Sequence, residues 1–211
     1  MAIADLSRPH PSRYGAPILR QVDTAIFSRS YFTRCMECTF CGDWCCSHGV
    51  DVDEPNRARI LARAAELEAF TGIDRAAWFD GEEESDPEFP GGAHVRTAVR
   101  GGACVFLGRE RRGCMLHAFC LERGIDYHEL KPMVSALFPL TFADGVLLAS
   151  DEVDDGTLVC LDQGPTLYRG ARAELGFYFG DGLLAELDGI ERAAPPPAAE
   201  QAKRRLAQLP R

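Results

Sequence analysis

The run Cys35-Met36-Glu37-Cys38-Thr39-Phe40-Cys41-Gly42-Asp43-Trp44-Cys45-Cys46 decides how the rest of the chain is read. It places five thiols within twelve residues, a density that side-chain packing does not need. In a Cys-x2-Cys turn the intervening residues reverse the chain, so that two thiolates converge on one ion. Gly42, directly after Cys41, suits the unusual backbone angles of such a turn. Zinc takes four ligands of this kind in a tetrahedron, and a four-iron cluster takes four thiolates, one per iron. Cys35, Cys38, Cys41 and Cys45 also carry the C-x2-C-x2-C-x3-C spacing of bacterial ferredoxins, with Cys46 standing where that pattern continues in proline. The run is not repeated downstream, which sets aside a two-cluster ferredoxin. A single iron–sulfur centre, a mononuclear iron site and a zinc site all stay open.

Outward from this run, the cysteine count is nine, an odd number that forbids complete internal pairing. No apolar run approaches the ~20 residues that a bilayer requires. Met1 to Leu6 lacks the basic start and apolar stretch of a secretory leader. The expected compartment is therefore the cytoplasm, where thiols stay reduced and clustered cysteines point to metal. The net charge of −9 offers no footprint for a phosphate backbone, so neither nucleic acid nor membrane is an expected partner.

A second group of candidate ligands lies downstream. Cys104 falls on a predicted strand, and Cys114, His117 and Cys120 are spaced three and three on a predicted helix. Three residues turn a helix by about 300°, so neighbouring members of the trio lie near one another. Cys160, on a short apolar strand, reads as a core residue. Asp43, His48, Asp51 and Asp53 interrupt or follow the cysteine run. Asp51 and Asp53 read as a polar loop and a helix cap.

The intervening pattern gives the elements. Residues 1–20 hold Pro9, Pro11 and Pro17 and read as an extended arm. Asp53 caps a helix with Pro55 in its first turn, Ile60, Ala64, Leu67 and Phe70 on one face, and Gly72 at its end. Asp74 to Phe79 reads as a helical turn. Asp80 to Glu88, six acids and no base, reads as a solvated loop. Two strands, His94 to Val99 and Ala103 to Leu107, meet at Gly101-Gly102. Cys114 to Arg123 is a helix ended by Gly124, and Asp126 with Glu129 caps another turn. Ser135 to Phe142, Val146 to Ser150 and Thr157 to Leu161 read as a meander with turns at Asp144-Gly145 and Asp155-Gly156. Pro165 to Phe179 and Leu183 to Ala193 read as helices split by Gly180-Asp181-Gly182. The expectation is an α+β fold: a small antiparallel sheet flanked by helices, with an irregular cysteine-rich metal-binding loop. Its single domain covers 21–193, and a flexible Pro/Ala-rich tail covers 194–211.

Several of these motifs, in order, resemble the bacterial CxxCxxCC proteins, described as a zinc- or iron-chelating domain. The matching residues are Cys38-x2-Cys41-Gly42 followed by Cys45-Cys46, Cys104-Val105-Phe106-Leu107, Gly113-Cys114-x2-His117, Lys131-Pro132 and Phe138-Pro139-Leu140. The resemblance runs from about Phe32 to Leu140. It implies metal ligation by the paired cysteines and by the Cys104 to His117 region. This chain departs from the family's pattern in having one residue more before the paired cysteines. It also has Ser135 where the family places a cysteine, with Cys120 or Cys160 available as a substitute and Cys35 as an additional ligand.

The candidate ligands are thus Cys35, Cys38, Cys41, Cys45, Cys46, Cys104, Cys114, His117 and Cys120. They would hold iron, as a four-iron cluster or a mononuclear site, or zinc. The functions in view are a redox centre or accessory of a modification reaction, a structural zinc module in a protein-interaction domain, and metal handling through exchangeable thiolates. A protein partner or a homo-oligomer fits the second. No Walker loop, GxGxxG turn, GxSxG elbow or HExxH helix is present, so the sequence assigns no catalytic residues.

Overall fold

The computed structural model describes residues 2–32, 36, 38, 40, 41, 43–108, 112–156 and 158–193, the side chains of residues 44, 45 and 154 excepted. The predicted tail, 194–211, lies outside the described residues. In chain order the elements are β1 (Ile3–Pro11), β2 (Ile18–Asp23), β3 (Ser30–Tyr31), β4 (Asp51–Asp53), α1 (Glu54–Ala62), α2 (Ala64–Thr71), β5 (Phe79–Ser85), β6 (Ala93–Thr97), β7 (Val99–Arg100), β8 (Ala103–Cys104), α3 (Met115–Arg123), α4 (Met133–Leu137), β9 (Leu140–Ala143), β10 (Val146–Ala149), α5 (Asp151–Asp154), β11 (Leu161–Thr166) and α6 (Leu167–Ala193). The fold is α+β, with several small, mostly antiparallel sheets. The chain clusters into two compact units: residues 1–13, 18–33 and 139–211 form one, and 14–17 with 34–138 the other.

In the first unit a four-stranded sheet runs β1-β2-β10-β9. The proline-bearing stretch read as an arm supplies β1, an edge strand paired antiparallel with β2. An edge is where proline is tolerated, because one side of the strand needs no ladder donors. The β9–β10 hairpin turns at Asp144-Gly145, with φ 51° and 74°. Two successive positive φ values are the type I′ pattern that Asp-Gly favours. The predicted strand over 135–142 is shortened from its start, because residues 133–137 form α4 with Pro132 at its N-cap. The predicted strand over 157–161 is also displaced: β11 starts at Leu161 and pairs with β3 instead of continuing a meander. β10 lies parallel to β2, with Val146 opposite Gln21.

α6 breaks at Gly180, whose φ of 79° and ψ of 175° are not helical. As a continuous helix, residues 168 and 188 would stand about 30 Å apart. Instead the Tyr168 hydroxyl donates to Asp188 at 2.6 Å. The two halves therefore fold back into the helical hairpin that the Gly-Asp-Gly signal predicts. Arg172 reaches the same carboxylate at 2.7 Å, and Arg169 pairs with Glu191.

The second unit packs helices on a three-stranded sheet ordered β4-β6-β5. Its core joins Val52, Ile60, Leu67, Trp78, Val95, Phe106, Leu116, Phe119 and Leu130, all buried. Each such side chain contributes roughly 1.5–3 kcal/mol through removal from water. Asp53 is the N-cap of α1, accepting the Asn56 N–H at 2.8 Å, and Gly72 ends α2 in the left-handed conformation. Asn56 Nδ2 in turn donates to the Glu129 and Leu130 carbonyls, which ties α1 to the turn before α4. The acidic stretch read as a loop is corrected: residues 79–85 form β5, an exposed edge strand on β6. Backbone pairing decides the conformation there. The charges remain in solvent, with Asp80 on Arg100 and Glu83 on Arg57.

Candidate metal centre

β3 leads directly into the cysteine run, and its pairing with β11 fixes what lies opposite. Leu161 is registered on Tyr31, and the Phe32 N–H donates to the Cys160 carbonyl at 3.0 Å. Cys160 is thereby held at the start of β11 with 3% of its surface exposed. Within the cysteine run, Cys38 is 1% exposed and Cys41 9%. In the second unit the sulfurs of Cys38 and Cys41 lie within 4.8 Å of each other.

The surroundings of Cys41 are polar. Arg112 Nη2 donates to its sulfur at 3.3 Å and lies 3.1 Å from a carboxylate oxygen of Asp43. Asp43 sits at φ 59°, ahead of the 3-10 turn Trp44–Ser47, and its carbonyl accepts the Cys46 N–H at 2.8 Å. The other end of the run is seated by packing. Gly113 lies against Met36 so closely that a Cβ there would stand 2.6 Å from the Met36 sulfur. This accounts for a glycine at 113 beyond its positive φ of 72°.

The remaining predicted ligands fall in different surroundings. Cys46 is half-buried. Cys35 lies outside the described residues, as does the side chain of Cys45. Cys104, at the end of β8, has the Thr97 hydroxyl 3.3 Å from its sulfur. Cys114 is the N-cap of α3, and burial pushes its thiol up. The His117 ring stacks on Tyr127 at a centroid distance of 4.3 Å. Cys120 is fully buried in the hydrophobic core, where desolvation pushes its thiol to about 11. Asp51 is engaged by Arg96 at 2.8 Å, and Asp53 caps α1, as their sequence contexts indicate. Cys160 is buried in the first unit, as the short apolar stretch around it indicates.

Two converging thiols suit a thiophilic ion. Sulfurs sharing one tetrahedral ion at ~2.3 Å stand about 3.8 Å apart, so a spread within 4.8 Å needs little movement to close on a metal. No helix among the described residues is long and apolar enough to cross a membrane. Comparison with protein-family models gave no match, and comparisons with curated proteins and with solved structures likewise gave none.

Proposed function

We propose that this chain is a metal-binding protein that holds a single ion on the thiolates of Cys38 and Cys41. The observation that carries the reading is the mutual approach of these sulfurs to within 4.8 Å. The remaining positions fall to other thiols of the same run or to exogenous ligands. The compactness of the group favours one ion over a four-iron cluster, because a cluster gives each thiolate its own iron and spreads the sulfurs farther apart. Zinc and mononuclear iron both fit. The resemblance to the zinc- or iron-chelating CxxCxxCC proteins supports metal ligation at Cys38 and Cys41, which carry its Cys-x2-Cys turn. A structural role has its own support in the irregular backbone that carries these ligands, where metal binding would supply folding energy.

The test is metal and acid-labile sulfide per chain, with a visible spectrum, on protein purified without oxygen or chelating tags. Stoichiometric zinc without colour identifies the structural module, since zinc is d10. Iron without sulfide identifies a mononuclear centre with an open position for redox chemistry. Iron with equimolar sulfide and a brown colour would overturn the single-ion reading. Protein that takes up neither metal would overturn the metal reading altogether.

A further inference from the structure

A cation stands against one of the two sulfurs. Three thiolates around a divalent ion leave an excess negative charge, and four leave more. In a largely dehydrated setting that excess is unfavourable unless a cation or N–H donors face the sulfurs. Cys41 is 9% exposed and receives such a donor from Arg112 Nη2 at 3.3 Å. The guanidinium is aimed by Asp43, 3.1 Å away, whose side chain is 13% exposed. The left-handed backbone at Asp43 keeps that carboxylate beside the cysteine turn. The two segments also meet independently of this contact, through Met36 on Gly113. The arginine is therefore not needed merely to join them.

We propose that Arg112 is a positioning residue of the metal centre: it hydrogen-bonds and neutralises the Cys41 thiolate, with Asp43 orienting it, and so sets how tightly the ion is held and how fast it leaves. The proposal rests on the reading of Cys38 and Cys41 as ligands. A thiolate that accepts a charged N–H donates less electron density outward. Without that donor, the negative charge of the site is no longer offset and the sulfur becomes easier to oxidise. Arginine suits the task because its Nη2, held in a planar guanidinium, reaches sulfur and carboxylate at once, whereas lysine supplies charge without that geometry.

The experiment uses the full chain loaded with cobalt(II), whose sulfur-to-metal charge-transfer band reports directly on the thiolates. Affinity is measured by competition with a chromophoric chelator, and release by mixing with excess EDTA. R112Q is expected to bind cobalt ~10- to 100-fold more weakly, as loss of a ligand's outer partner typically does. It should release the ion correspondingly faster, with the charge-transfer band moved to lower energy. R112K, which keeps the charge, should fall between R112Q and the wild type. D43N, which preserves a residue tolerant of the left-handed backbone, should move the band in the same direction by less, and it carries the test should R112Q fail to fold. Wild-type affinity and an unmoved band in R112Q would overturn the proposal. Weakened binding with an unmoved band would also overturn it, since it would place Arg112 in loop packing. Failure of the wild-type protein itself to take up cobalt would instead refute the ligand assignment beneath it.

Discussion

A sulfur's chemistry follows from what surrounds it, and Cys120 and Cys41 sit in contrasting places. Cys120 belongs to the apolar core around Phe119 and Leu130, where burial holds its thiol protonated at neutral pH. A protonated thiol is a poor ligand, because metals bind the thiolate. Cys120→Ala is expected to leave metal content unchanged and to cost roughly 1–2 kcal/mol in denaturant unfolding, through the small cavity it opens. Cys41→Ser and Cys38→Ser should each lose metal under the same assay. If Cys120→Ala lost metal and Cys41→Ser kept it, the proposed ligand set would be wrong. At this scale the cysteine run is legible, because local spacing is itself the signal for Cys38 and Cys41. The strand after Cys160 is not, because nothing in Val159 and Leu161 reveals that β11 pairs with β3, far earlier in the chain.

Turns and caps account for most of the elements that could be read directly. Asp53, Gly72 and Gly124 act where their chemistry places them, and so do the Gly101-Gly102 and Asp144-Gly145 turns. β5 escaped because its residues have weak strand preference, and a neighbour's ladder overrides such preferences. The α6 hairpin supports two predictions. Gly180 has open space around it, so Gly180→Ala tests the backbone alone. Its φ and ψ lie in a region essentially closed to L-residues, and the substitution should destabilise by about 1–3 kcal/mol, read as a lower Tm. Asp188 tests the ion pairs that close the hairpin. The Arg172 guanidinium, followed by the Tyr168 hydroxyl, holds its carboxyl well below the usual carboxylate range. Because the folded state then binds fewer protons than the unfolded one, this contribution is fully present above about pH 4 and is lost as pH falls through the depressed folded value. Urea unfolding at neutral pH should find Asp188→Asn less stable than wild type, with the gap closing below about pH 4. A gap that widened on acidification would contradict the assignment.

For the molecule as a whole, composition gave the class of fold but not its connectivity. The α+β character follows from strand-like and helical stretches in alternation. The parallel contact of β10 with β2 joins residues that no local pattern links, and the division into two interleaved units follows from such long-range pairings. The same consideration bears on how many ions the chain holds. Nine cysteines could serve two centres by number alone. In the second unit, however, Cys38 and Cys41 approach within 4.8 Å of each other, and Cys120 is committed to the core. Titration of the metal-free chain with zinc, followed by competition with a chromophoric chelator, should therefore saturate at one ion per chain. Because the ion would bind only the folded state, free zinc at a hundredfold over its Kd should add about 2.7 kcal/mol of stability. That corresponds to a rise in Tm of roughly 5–10 °C, reversed by EDTA. A second tight ion would require another set of thiolates to converge, and it would show as continued stabilisation beyond the first equivalent. Saturation at one equivalent, with Cys41→Ser abolishing both uptake and the rise in Tm, would tie the metal to this one pair of sulfurs.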